Sequence, residues 1–244
     1  METSTGSQGR SEAVVRPLPL AAVTAAVAAV CYSSWLFGWV ANPEHKALTG
    51  YVSELAIPGE PFSLVFRGLD AATGIAITVA SVIAIVALRR RGRDEAGTAP
   101  RRGDSGGWRI TGPFVLLIVF GVATLFDAIV PLSCAPTSDL ACTAAAKAGE
   151  LPLSHTLHEV TSTAAGAAAS VAMAWWWLAQ RRRGGRLVAF GTALVVVHLA
   201  SLGLELADIA GVGFGVLGAT QRVSLLALAL WFPVPFLTQE LRRT

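Results

Sequence analysis

Charge is scarce in this chain. Only 14% of its 244 residues are charged and 53% are hydrophobic, at a mean hydropathy of +0.58, whereas a soluble globular domain carries about 25% charged residues. The deficit excludes an ordinary soluble fold. Cysteine is scarce as well: the 3 cysteines show no CxxC or Cys/His finger spacing, which excludes structural zinc modules and disulfide-dense scaffolds. Lysine is confined to Lys46 and Lys147, so the basicity behind a pI near 9.1 is almost all arginine. Those arginines sit in short clusters between apolar runs, without interleaved stacking aromatics, and this excludes nucleic acid as a partner. Arginine in place of lysine, with abundant alanine and glycine, fits a GC-rich bacterial genome.

What the chain does have is long apolar runs. Residues 1–16 are polar and Ser/Gly-rich, and read as a disordered cytoplasmic tail. The run that follows, 18–41, exceeds the roughly 7 to 15 residues of a signal-peptide core and is expected to stay as a first helix. Further runs cover about 68–88, 110–132, 156–179 and 187–207, with a last one ending near 238. A hydrocarbon core of about 30 Å takes roughly 20 helical residues. The last run carries Pro233 and Pro235, so its helix is expected to begin before Arg222. The expectation is an all-α, polytopic bundle of six transmembrane helices over 17–240, in contact with the lipid bilayer of a bacterial plasma (inner) membrane.

Basic residues cluster before the first run, over 89–109, over 181–186 and at the C-terminus. The positive-inside rule then puts both termini in the cytoplasm. Trp108, Trp175, Trp176, Trp177 and Trp231 fall at an inner aromatic belt, and Trp35 and Trp39 at an outer one. The segment 89–108 reads as a flexible linker. The outer connections 42–66 and 133–154 are long without a linker composition, which favours ordered, functional loops. Within the second, Cys134 and Cys142 would face an oxidising compartment and are expected to form a disulfide. Cys31, inside an apolar run, reads as a packing residue.

All four histidines fall on the outer side of this topology. Asp127 lies about one turn inside a span, where an ionised carboxylate costs about 2.5 to 3.5 kcal/mol unless paired or hydrated. It is read either as a ligand, metal or proton site, or as a structural pair with Arg222 or His158. Thr156 and Glu159 form a capping-box pattern. His155 and His158, three apart, would share a helix face and could bind one metal, relay a proton or simply lie at the interface. His198, Ser201 and Glu205 make one polar stripe, with Asp208 beyond it. Asp70, Thr73 and Ser81 make a weaker stripe, Arg67 being placed to pair with Asp70. Arg222 has Glu205 or Asp208 as expected partners. Asp127, His158 and His198 are thus the expected catalytic or zinc-binding set, with Asp70, Glu205 and Arg222 as ligand-binding residues.

Tyr51-Val-Ser-Glu-Leu-Ala-Ile-Pro-Gly-Glu-Pro61, the Phe126-Asp127 pair before a cysteine-containing loop, and Ser154-His-Thr-Leu-His158 resemble a prokaryotic six-helix membrane family, domain of unknown function 998. The resemblance implies the fold and draws Ser53 and Glu54 into the expected ligand site. A fainter likeness is to the alkaline ceramidase and adiponectin-receptor hydrolases, which use Ser, Asp and three His around zinc. This chain departs from them in helix number and in having HxxH where HxxxH is expected. The resulting reading is an outward-facing polar pocket handling a lipid or small molecule, as a metal-dependent hydrolase or, alternatively, as a non-catalytic assembly or sensing subunit. A carrier is disfavoured by the lack of charge in the inner half of any span. Reporter fusions after Gly103 and after Lys147 are expected to report cytoplasm and exterior respectively; the reverse result would place the polar pocket on the inside.

Overall fold

The computed structural model describes residues 16–96 and 105–241, and no strand occurs among them. Apart from Arg16, the expected 1–16 tail lies outside the described residues. Helix α1 (Pro17–Tyr32) opens on a proline, whose missing N–H is not needed in a first turn. The run does not continue as one helix to 41. The Ser33 hydroxyl donates to the Ala29 carbonyl at 2.8 Å, and the chain tightens into a 3-10 turn, Ser34–Phe37, before a single helical turn α2 (Gly38–Ala41). Serine competing for helix carbonyls is a common cause of such an end.

After a second 3-10 turn, Val52–Ala56, come α3 (Ser63–Ala96) and α4 (Ser105–Ile129). Both reach into the segment 89–108 expected as a linker, because arginine is a good helix former; residues 97–104 lie outside the described ones. Within the second long loop, α5 (Leu140–Ala148) is capped by Asp139, which accepts from the Ala141 N–H at 2.8 Å, and ends at Gly149 with φ 70°. Then follow α6 (Leu153–Gln180), α7 (Arg186–Ile209), α8 (Leu217–Trp231) and α9 (Val234–Glu240). The α8–α9 break falls at Pro233, and α8 begins before Arg222, as expected.

Among the described residues, five segments are long and apolar enough to cross a membrane: Pro17–Phe37, Ser63–Gly92, Gly107–Ile129, Arg186–Ile209 and Leu217–Glu240. This is a multi-pass membrane protein. Helix α6 has 28 residues, a length of about 42 Å, but its first three turns are rich in Ser, Thr and His. Loops 33–62, 130–152 and 210–216 gather at one end of the bundle, called here the disulfide end. Arg91, which meets Glu240 at 3.4 Å, and the 181–183 turn mark the other, the arginine end.

Small residues let the helices approach. Alanines of α1, α3 and α6, including Ala25, Ala84 and Ala169, are fully buried. Where α3 crosses α4, a Cβ on Gly121 would lie 2.6 Å from the Gly74 carbonyl oxygen, and one on Gly74 would lie 2.8 Å from the Leu125 nitrogen. The backbones are in direct contact there. Midway, Tyr32, Phe120 and Phe232 form a triangle with ring centres 5.3 to 5.6 Å apart, an aromatic layer between the two ends. Several tryptophans assigned to belts are interior instead: Trp176 and Trp231 pack edge to face at 5.9 Å, and Trp35 is buried with Arg222 above its ring at 6.0 Å. Their rings fill volume that the alanines leave open. The Trp39 side chain lies outside the described ones.

Gly121→Ala is expected to destabilise by about 1 to 3 kcal/mol, because the Gly74 carbonyl blocks the new methyl even if the Thr78 hydroxyl turns aside. Gly166→Ala, on an exposed helical site with nothing within 4 Å of the added Cβ, should stabilise by about 0.5 to 1 kcal/mol. Thermal unfolding of both variants in detergent checks the contrast.

Candidate functional site

The crossing of α3 and α4 at Gly74 and Gly121 carries Asp70 and Asp127 together toward the disulfide end, near enough to interact electrostatically. Asp127 is the better provided. Its Oδ1 accepts from the Thr161 hydroxyl, its Oδ2 accepts from the Ser162 hydroxyl at 2.8 Å, and His158 Nδ1 lies 3.6 Å from Oδ1. His158 Nδ1 also lies 3.1 Å from the Val130 carbonyl oxygen, and its Nε2 lies 3.3 Å from Ser162 Oγ. A carbonyl only accepts, so Nδ1 carries a proton. The single Ser162 hydroxyl proton can go to Asp127 Oδ2 or to His158 Nε2, not to both. This is a carboxylate, a hydroxyl and an imidazole in series, a chain that can pass or hold one proton. Asp70, half-buried on α3, has no hydrogen bond or ion pair with another described residue, and the expected Arg67–Asp70 pair is not formed. Arg67 donates instead to the Ala128 carbonyl at 2.8 Å, where the end of α4 leaves carbonyls without helical partners.

His198 stands apart from this group. Its Nε2 meets Ser170 Oγ at 2.9 Å and its Nδ1 meets Ser224 Oγ at 2.9 Å, so the ring ties α7 to α6 and α8. The expected trio of metal ligands is therefore not gathered: Asp127 and His158 are together, and His198 is engaged elsewhere on both nitrogens. Among the described residues, one group of ligand-type atoms lies within 4.8 Å of one another: Cys134, Cys142 and His155. There the two cysteines are joined in the expected disulfide, with Cα atoms 5.8 Å apart. His155 is fully buried rather than interfacial, with Nδ1 against Ser133 Oγ at 3.0 Å and Nε2 3.6 Å from Glu159. The capping box is not formed, because α6 begins at Leu153 behind Pro152 and Thr156 is already inside the helix.

A second network clamps the first long loop. Arg222 Nη1 donates to the carbonyls of Ala47 at 2.6 Å, Gly50 at 2.9 Å and Gly218 at 2.9 Å. Its Nη2 reaches His45 Nε2 at 2.9 Å. A guanidinium only donates, so His45 accepts and is neutral; burial and the Arg222 charge both push its pKa down. Neither Glu205 nor Asp208 pairs with Arg222 as expected. Loop carbonyls reach it first, while Glu205 takes Gln221 at 3.4 Å and Asp208 accepts from the Gly215 and Val216 amides at 2.8 and 2.9 Å. Glu54, only 3% exposed, accepts from Thr137 N at 3.0 Å and Thr137 Oγ1 at 2.6 Å, tying this loop to the disulfide loop. Burial pushes its pKa up, and the Thr137 bonds oppose that rise. Ser53, in the same 3-10 turn, is half-buried and makes no side-chain bond to another described residue.

With this geometry in hand, the family can be assigned. A family model described as "Protein of unknown function (DUF998)" matches residues 25–238. The chain belongs to the DUF998 family. No curated protein and no solved structure matches it, a zinc-dependent membrane hydrolase included. The match takes in both polar networks of this DUF998 chain, from His45 to Arg222.

Sequence reasoning missed Thr161, Ser162, Thr137 and the role of His45. Ser162 was open to discovery, since it follows His158 by four residues on a helix and must share its face. Thr137 carried no signal, because its partner Glu54 is 83 residues away in another loop. Glu54→Ala is expected to strand the Thr137 amide and hydroxyl and to cost about 1 to 3 kcal/mol. Glu54→Gln, which keeps an acceptor oxygen, should retain most of the stability. Parallel thermal melts separate the two, and equal losses would show that the charge, not the hydrogen bonds, holds the loop.

Proposed function

We propose that this chain crosses the bacterial plasma membrane six times, α6 supplying the sixth crossing, with the arginine end in the cytoplasm and the disulfide end outside. The outward half then binds a lipid or small polar molecule at Asp70, Asp127, His158 and Ser162. The observation that carries the reading is Asp70. A carboxylate inside a span is costly unless it is paired or hydrated, and this one has no partner among the described residues although Asp127, close by, has three. Proton handling by Asp127, Ser162 and His158 fits the geometry better than a zinc ion shared with His198, whose nitrogens are already engaged. The chemistry available is general acid and base catalysis at the membrane surface.

A second reading, a non-catalytic assembly or sensing subunit, draws support from how fully Arg222, Glu54, His198 and Asp208 are used to join elements. Val212 and Phe214, 79% and 84% exposed in the α7–α8 turn, also offer apolar contact surface.

Asp70→Asn distinguishes the two. A residue kept for a ligand at the expense of stability should, once neutralised, raise stability by about 1 kcal/mol, which is roughly 2 to 4 °C in Tm. The same change should strip a co-purifying molecule seen by mass spectrometry of the wild-type protein. A fall in Tm with unchanged bound content would sink the ligand reading and favour the structural one.

A further inference from the structure

At the arginine end, a cavity of about 1050 Å³ opens between α4, α6, α7 and α9. It runs from Ser170 and Leu199, midway along α6 and α7, to the turn that joins those helices. From Ser170 to Gln180 this is a depth of about 15 Å at 1.5 Å per residue. Its walls are apolar, with Phe114, Val171 and Trp175 among them, and its floor is Ser170, bonded to His198. Its rim is basic: Arg109 from α4 faces Arg181, Arg182 and Arg183, all four exposed. No acidic side chain lines it, and none of these guanidinium groups pairs with a described carboxylate.

Between rim and walls sit two amides, Gln180 of α6 and Gln239 of α9. They are 2% and 4% exposed, yet neither side chain is hydrogen-bonded to another described residue. Each amide brings two donors and an acceptor, and since neither is among the fully enclosed atoms that lack a partner, both open onto the cleft with their hydrogen-bonding groups free for what enters it. A basic rim, two buried amides below it and an apolar cleft beneath them match, in order, the parts of one ligand class: an anionic group, a polar backbone and a hydrocarbon chain. In a membrane protein this end of the bundle lies at headgroup level, where that amphiphile is abundant as phospholipid, and basic pockets between helices favour anionic headgroups.

We propose that this cleft is a binding site for an anionic phospholipid of the leaflet at the arginine end. The lipid phosphate meets Arg109 and Arg181–Arg183, the amides of Gln180 and Gln239 donate to its phosphate or ester oxygens, and one acyl chain lies against Trp175 toward Ser170. The site is distinct from the Asp127 group and stands whether or not that group binds a ligand.

Native mass spectrometry of the full chain, released from detergent containing equal phosphatidylglycerol and phosphatidylcholine, reads the proposal. The wild type should retain one phosphatidylglycerol about tenfold or more over phosphatidylcholine. Arg181→Gln/Arg182→Gln/Arg183→Gln should remove the preference. Ala174→Trp, which fills the cleft and leaves every charge in place, should remove retention itself. Should that variant fail to fold, bromine-labelled acyl chains in wild type and Trp175→Phe give the same answer, since the fluorescence quenched by brominated phosphatidylglycerol should drop when Trp175 is absent. Equal retention of the two lipids, undiminished retention in a folded Ala174→Trp protein, or quenching indifferent to Trp175 would each overturn the site.

Discussion

The contact between the backbones of α3 and α4 at Gly74 and Gly121 is the constraint on which most of this bundle rests. In lipid there is little hydrophobic drive between helices, so close packing must supply the attraction, and packing is closest where side chains are absent. Gly74 fixes the depth of α3 against α4, and with it the level of Asp70 one turn away and of Asp127 beyond Gly121. It also brings Arg67 to the Ala128 carbonyl. A larger residue at either glycine would separate the helices and, with them, the two carboxylates that define the candidate site. The geometry of the candidate site at the disulfide end is thus set by residues that carry no chemistry themselves.

The same scarcity of water governs the polar groups. A buried donor or acceptor is best served by a partner inside the protein, and at the disulfide end many find one, although Trp35 Nε1, His155 Nε2 and Arg222 Nε have no hydrogen bond to another described residue. Arg222 spends its Nη1 protons on loop carbonyls, Glu54 takes both donors of Thr137, and His198 is held between two serines. These bonds give the long loops a fixed course over the bundle, as the bridge between Cys134 and Cys142 does for the second of them. Asp70 differs from those single unpaired nitrogens in being a whole carboxyl group inside a span without a partner among the described residues, the most costly arrangement of the set.

Much of the architecture was legible because membrane crossing imposes length and apolarity directly on the sequence. The runs, the early start of the last helix and the disulfide pair follow from that and from composition. The association of Asp127 with His158 was also legible as one of two possible pairings, the other being with Arg222, since each lies about one turn from the same end. Other features left no local mark. The end of α1 at Tyr32 depends on Ser33 turning back onto Ala29, which the apolar run conceals. Two of the partners of Arg222, the Ala47 and Gly50 carbonyls, are more than 170 residues away, and every residue has a carbonyl, so no pattern of side chains could name them. Charge-to-charge reasoning chose Glu205 and Asp208 because acids are the partners a sequence displays. Belt reasoning put Trp35 and Trp231 at the interface for a similar reason, although burial depends on neighbours that only the fold supplies.

The two ends of the bundle consequently relate to their surroundings in different ways. The aromatic triangle of Tyr32, Phe120 and Phe232 separates a half whose polar groups mostly serve one another from a half in which some do, as Arg91 with Glu240 and Trp176 with Thr238, and those along the cleft do not. At the disulfide end, removing one member of a network strands its partner, so changes there act on folding as well as on any binding. At the arginine end, Gln180, Gln239 and the 181–183 arginines are joined to no other described side chain, so they can change without stranding anything in the protein. Groups of that kind contribute little to holding the fold. Their placement along one cleft, from basic rim through the two amides to apolar walls, is then accounted for by what lies outside the chain rather than by what holds it together.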